Sequence, residues 1–231
     1  MSGPGDRGLH WPGTDEVPDE FRAFDCGLGE LPESLWSRTD LRVVNVGGNG
    51  LTSVDARIGG LGLLRMLDLG HNALASLPES LGELAELEFL YLGQNQLSSL
   101  PASLGSLSRL RYLGLSGNRF ERVPEVVGGL SALVELRLDD NALGELPAAL
   151  GNLAHLAELA LRRNRVRELP ESLRELAALA RLDVRDNQLT ELPDWLVELL
   201  QLTKIDARWN PLRRLPSWAG AFTDRGGVLW A

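Results

Sequence analysis

The sequence predicts an α/β solenoid: a curved horseshoe with a parallel β-sheet on its concave face and short helical or extended turns on its convex face. The first observation is that leucine supplies 50 of the 231 residues, whereas phenylalanine occurs five times and isoleucine twice. One side chain used so often indicates one packing position used repeatedly. The second is a leucine-based motif that restarts every 23 residues without insertion or deletion. Its eight starts are Leu41, Leu64, Leu87, Leu110, Leu133, Leu156, Leu179 and Leu202.

Each 23-residue unit predicts the same three parts. The alternation of Leu90 and Leu92 has period two, so it predicts a short strand with both side chains pointing inward. A Leu-Pro step then fixes an extended return, and the spacing of Leu104 and Leu107 predicts a helical turn against the same core. Between strand and return, a buried amide can satisfy backbone groups that leave the sheet. That amide recurs at Asn49, Asn72, Asn95, Asn118, Asn141, Asn164, Asn187 and Asn210.

These units resemble the leucine-rich repeat family, in the subtype whose return half reads LPxxLxxL, as in Leu100-Pro-Ala-Ser-Leu-Gly-Ser-Leu107. The resemblance covers about residues 18–224. Similar arrays occur in Ras-suppressor-like scaffolds, plant Ras-group leucine-rich proteins and many bacterial proteins. The resemblance therefore implies a protein-binding module, with a role in intracellular signalling, and no particular partner.

The flanking segments are predicted to cap the repeats, because terminal units of a solenoid have only one neighbour. We expect a flexible arm at 1–17, a capping repeat at 18–40, repeats at 41–224 and a capping strand at 225–231. Cys26 occupies the asparagine position of the first cap and is expected to be a buried thiol. Phe222, Val228 and Trp230 are expected to continue the inward-facing register.

Two tryptophans, Trp195 and Trp218, lie one period apart and should be neighbours near the second cap. Local packing is the favoured interpretation, and a weak self-association contact is the alternative. The sequence leaves the oligomeric state open.

Composition excludes several functions. The formal net charge of -9 argues against a nucleic-acid partner held by a bulk positive field. No apolar run is long enough to predict a membrane span. A single cysteine rules out an intramolecular disulfide and any site that needs several thiolates. We find no phosphate loop, nucleophile elbow or zinc motif, so we expect neither catalysis nor a cofactor or metal.

The bias toward arginine, alanine and glycine indicates a bacterial genome. The lone thiol indicates a cytoplasmic location, because disulfides are rare in that reducing compartment.

Function is expected at four outward positions of each unit. These are positions 3, 5, 7 and 8, counted from the leucine that starts the unit as position 1. In the first half, Met66, Phe89, Tyr91 and Tyr112 should form an exposed patch bordered by glycines, with His71 nearby. Exposed aromatic clusters are typical of binding anchors. The alternative is that these rings only stabilise the sheet across strands.

The second half of the concave face is charged, acidic first and then basic. Its candidate binding residues can recognise carboxylate or phosphate groups, with Trp209 as an anchor. The alternative is that they only pair with neighbouring acids and keep the surface polar. The candidates are Arg137, Arg162, Arg163, Arg185, Arg208 and Trp209.

The leading hypothesis is a non-catalytic scaffold that recognises a protein or peptide on its concave face in the cytoplasm. The first alternative is a secreted bacterial effector that acts in a host cell. The second is a substrate-presenting subunit of a separately encoded enzyme.

Overall fold

The computed structural model describes residues 18–231, and the arm predicted at 1–17 lies outside these residues. Within the described range, ten parallel strands form one open sheet in chain order. The strands are β1 Glu20–Arg22, β2 Val43–Asn45, β3 Met66–Asp68, β4 Phe89–Tyr91, β5 Tyr112–Gly114, β6 Glu135–Arg137, β7 Glu158–Ala160, β8 Arg181–Asp183, β9 Lys204–Asp206 and β10 Val228–Trp230.

The predicted fold class is confirmed. Eight strands come from the repeats, and the flanking segments add β1 and β10. Residues one period apart pair directly, as Leu90 does with Leu113. The central residue of each repeat strand is buried, because alternate side chains of a strand point to opposite faces. Their neighbours on either side therefore lie on the concave face.

The convex side of the described chain carries eight short 3₁₀ helices, of which seven start directly after a proline and one, Ala56–Gly60, starts after Asp55. Proline gives the start of the turn its extended φ, for example −62° at Pro101. Glycine follows where turns approach closely, and a Cβ at Gly82 would overlap the carbonyl oxygen of Ser103. In the described chain these helices span Glu33–Ser37, Ala56–Gly60, Glu79–Glu83, Ala102–Ser106, Glu125–Gly129, Ala148–Asn152, Glu171–Glu175 and Asp194–Glu198.

The asparagines form the predicted ladder between repeats. Asn95 is representative: its Nδ2 donates to the carbonyls of Leu69 at 2.9 Å and Leu92 at 3.0 Å. Its Oδ1 accepts from the backbone N–H of Leu74 at 3.0 Å. Each amide therefore joins its own turn to the preceding one, and these residues are structural.

The second flanking segment differs from its predicted register. Helix α1 spans Ala219–Asp224 and buries Phe222 against the core, as expected. The prediction that Val228 and Trp230 point inward is wrong: both are about two-fifths exposed, and Leu229 packs on the core instead. The parallel register places Trp230 opposite Asp206 on the concave face.

Cys26 is less buried than expected, whereas Trp218 fits the favoured interpretation of local packing. Cys26 is only half-buried, and its thiol lies 3.4 Å from the carbonyl oxygen of Phe24. Trp218 is buried and packs edge-to-face on Phe222, with ring centroids 5.9 Å apart. Local packing therefore explains Trp218. Of the two tryptophans, only the half-buried Trp195 is still accessible for self-association. None of the helices in residues 18–231 is long and apolar enough to cross a membrane.

Candidate functional site

The aromatic patch, defined as Met66, Phe89, Tyr91 and Tyr112, lies on the concave face of β3, β4 and β5. Met66 pairs with Phe89, and Phe89 pairs with Tyr112, so three of the side chains form a row across the strands. All four are half-buried rather than fully exposed. The structure thus brings together the apolar residues that the sequence singled out.

Two tyrosines of the patch stack on each other. Their ring centroids are 4.5 Å apart and the planes are tilted by 34°. Gly114 makes this possible, because a Cβ there would lie 3.0 Å from the ring and hydroxyl of Tyr112. The glycines that border the patch do not leave open space beside every ring. The space over Gly114 is filled by the Tyr112 ring, and the space over Gly117 is filled by the side chain of Gln94.

Burial of the stack changes its acid–base properties. Burial raises the pKa of Tyr112 to about 12, with a smaller, opposing effect from Arg137. The pKa of Tyr91 is also raised, mainly by burial and then by the charges of Asp68 and Glu135. Both hydroxyls therefore remain protonated donors at neutral pH.

This shift gives a testable pH dependence. The folded state holds the Tyr112 proton more tightly than the unfolded chain, whose tyrosines ionise near about pH 10. Stability contributed by Tyr112 is therefore complete below about pH 10 and is lost as pH rises toward about 12. We expect absorbance titration to show both tyrosines ionising late, and Tyr112→Phe to remove the later step. Two tyrosines ionising together near pH 10 in the folded protein would contradict this.

Position 8 of the repeat does not lie on the sheet, contrary to our expectation. His71, Arg163 and Trp209 have positive φ angles of 54°, 55° and 63°. Left-handed backbone of this kind turns the chain off the strand, and it is uncommon for residues other than glycine. These three side chains are exposed at the rim of the concave face, beyond the carboxyl ends of the strands.

The arginines at the middle of the face are paired with acids of their own or a neighbouring repeat. Arg137 contacts Glu135 and donates to Glu158 at 3.0 Å. Arg162 and Arg163 both contact Asp140, each at 3.2 Å. The pairing that sequence offered as the alternative is thus present.

The last arginines of the face surround a buried acid. Asp206 is 4% exposed and accepts from Arg208 at 2.7 Å, while Arg185 lies 3.4 Å away. Burial alone would raise the pKa of Asp206, but the hydrogen bonds from Arg208 and the charge of Arg185 lower it overall. This cluster is part of a small concave cleft of about 130 Å³ between β7 and β10.

Sequence reasoning missed two residues of this cleft. Trp230 was assigned to the core, yet its ring faces Lys204 and Arg208, with the Lys204 Nζ 4.5 Å from the ring centroid. Lys204 is an outward residue of β9 and is not among the candidates predicted from the sequence. The spacing of Trp230 from Asp206 is 24 residues rather than one period of 23, so the regular count could not reveal the register.

The described residues offer little for metal chemistry. No group of three or more His, Cys, Asp or Glu side chains within 18–231 is placed to hold a metal ion. His71 lies on the rim, whereas His155 lines an open groove at the opposite edge of the sheet. The two histidines therefore do not share a site.

The sequence profile described as "Leucine rich repeat" matches residues 39–97, 78–120, 108–166 and 154–212. Together with the repeats and the asparagine ladder, this match shows that the chain belongs to the leucine-rich repeat family. A search of curated proteins gave no match.

Solved structures confirm the fold. The ectodomain of the receptor kinase GASSHO1/SCHENGEN3 from Arabidopsis thaliana, in complex with CASPARIAN STRIP INTEGRITY FACTOR 2, is 29% identical over 92% of this chain, with a TM-score of 0.75. A TDR receptor is 31% identical over 78% of this chain, with a TM-score of 0.69. Internalin InlF from Listeria monocytogenes is 21% identical over 87% of this chain, covers 57% of that protein and has a TM-score of 0.77.

The chain is much shorter than the two receptors. It spans 26% of the GASSHO1/SCHENGEN3 chain and 33% of the TDR receptor chain.

Proposed function

We propose that this protein is a non-catalytic protein-binding module that recognises a protein or peptide partner on its concave face. The observation that carries the proposal is the aromatic patch, whose four side chains are only half-buried on the concave face of the sheet. Tyrosine and phenylalanine offer large, rigid contact areas at low entropic cost. A partner that covered them would remove apolar surface from water, which is the main driving force for association.

A similar repeat protein supports this proposal. The GASSHO1/SCHENGEN3 ectodomain is 29% identical to this chain, and its structure contains a bound factor. Recognition of a partner by such a fold depends on outward side chains, because the inward ones are committed to the core.

The test is capture from a lysate of the source organism, followed by mass spectrometry. We expect Tyr91→Ala combined with Tyr112→Ala to reduce capture at least tenfold, since two stacked rings leave the contact surface. The variant should still fold with a small decrease in melting temperature, because the rings stack on each other but neither belongs to the buried core.

The matched control is Ser106→Ala, an exposed position on the convex side of the same region. This variant should capture the partner as the wild-type protein does. Undiminished capture by the double tyrosine variant would reject the aromatic patch as the binding site.

We further propose that the protein is a bacterial scaffold or signalling component of the cytoplasm. The support is the single free thiol at Cys26, which fits a reducing compartment. Cell fractionation distinguishes this from the secreted effector, and co-purification with an enzyme that is less active alone identifies the substrate-presenting subunit.

A further inference from the structure

We propose that the cleft between β7 and β10 is a subsite for an acidic side chain, Asp or Glu, of the protein partner, with Lys204 and Trp230 as its recognition residues. The inference rests on the proposed function and adds the chemistry of one contact. The subsite lies on the same concave face as the aromatic patch, toward the opposite end of the sheet.

The size of the cleft decides what it can hold. Its volume is about 130 Å³. A water molecule takes about 30 Å³ in the liquid, so the cleft has room for about four waters. That space suits one polar side chain and excludes a folded element. Trp230 from β10 lines it, together with charged residues of β7, β8 and β9.

The charged residues that line the cleft favour an anionic ligand. Four cations and three carboxylates line the cleft. Each carboxylate is already paired with an arginine, whereas Lys204 has no carboxylate within 4.0 Å in residues 18–231. A carboxylate that entered the cleft would give Lys204 the partner it lacks. The existing pairs are Arg181–Glu158, Arg185–Asp183 and Arg208–Asp206.

Trp230 holds the lysine in position. The Lys204 Nζ lies 4.5 Å from the centroid of the indole ring, and the Arg208 guanidinium carbon lies 4.9 Å from it. An ammonium over an aromatic face is attracted to the ring, so a flexible side chain is restrained without loss of its charge. The half-buried Lys204 side chain therefore loses less freedom when an anion binds.

A carboxylate fits better than a phosphate. Arginine forks match phosphate oxygens, but the forks in this cleft are committed to the protein's own acids. What remains is the compact point charge of one ammonium, which can pair with a single carboxylate without a guanidinium fork.

The test uses the fact that Lys204 is the only lysine in the chain. Lysine-specific ¹³C and ¹⁵N labelling of the full-length protein gives one side-chain signal, which reports on the cleft directly. The probes are hexaglutamate and hexaglutamine peptides, both acetylated and amidated at their ends, and inorganic phosphate. We expect hexaglutamate to shift the Lys204 signal saturably and the other two probes to leave it unchanged.

Variants tested by calorimetry complete the experiment. Lys204→Gln should abolish hexaglutamate binding, and Trp230→Leu should weaken it at least tenfold. Arg109→Gln, which removes a positive charge at a distant exposed pair with Glu86, should change affinity less than twofold. Equal shifts with hexaglutamate and hexaglutamine, a shift with phosphate alone, or wild-type affinity in Lys204→Gln would overturn the proposal.

Capture of the cellular partner separates this inference from the proposed function. Loss of capture in the double tyrosine variant, with normal capture in Lys204→Gln, would reject the acidic subsite and retain the binding face. Normal capture in both variants would reject both.

Discussion

Replacing Asn95 by alanine is expected to lower the free energy of unfolding by about 4 kcal/mol. The amide is 8% exposed, and it satisfies the carbonyls of Leu69 and Leu92 and the N–H of Leu74. Alanine leaves the Leu74 N–H without its partner, whereas the two carbonyls each lose one donor and keep a second asparagine amide. An unsatisfied buried polar group costs about 1–3 kcal/mol and each lost hydrogen bond costs about 0.5–1.5 kcal/mol, which together give about 4 kcal/mol.

Urea-induced unfolding followed by circular dichroism measures the loss. Asn152→Ala is the control, because Asn152 is exposed at the end of a convex 3₁₀ helix and its change should cost less than about 0.5 kcal/mol. A loss below about 1 kcal/mol for Asn95→Ala would contradict the role assigned to the ladder.

The second large effect is expected from Phe222→Ala. Phe222 is fully buried in α1, where Trp218 packs edge-to-face on it and the Arg225 guanidinium lies 4.9 Å from the ring centroid. Removing a buried phenylalanine typically costs about 3–5 kcal/mol, through lost transfer free energy and the cavity left behind. Because β10 follows directly after α1, the loss should loosen β10 and move Trp230 away from the cleft.

Hydrogen exchange locates this effect. We expect β10 and α1 to exchange faster in Phe222→Ala, while the ladder of the central repeats stays protected, since each repeat contacts only its neighbours. The control is Phe24→Ala, whose ring is 59% exposed. If protection in β10 were unchanged, Phe222 could not be what holds this strand.

Much of the fold follows from the sequence because one constraint repeats. Every unit must bury the same leucines against its neighbours, so strand positions, the Leu-Pro step and the asparagine ladder all follow from a single period. The same regularity places Met66, Phe89 and Tyr112 on one row of the concave face.

The 23-residue period does not predict structure where the repeats end, nor does it predict which side chains pair with each other. The register of β10 changes by one residue after α1, which turns Trp230 outward. In the sequence, only Gly48 and Gly117 indicate the left-handed turn at position 8. The other units have a residue other than glycine there, although its φ angle is also positive. Pairing of arginines with acids depends on side-chain conformation, which spacing alone does not determine.

The central claim is that the concave face contacts the partner, and site-specific photo-cross-linking tests it most directly. A benzophenone amino acid replaces Phe89 on the concave side in one variant and Ser106 on the convex side of the same repeat in another. Both variants are irradiated with the captured partner and analysed by mass spectrometry. We predict a covalent adduct from position 89 and none from position 106. Cross-linking from position 106 alone would contradict the account.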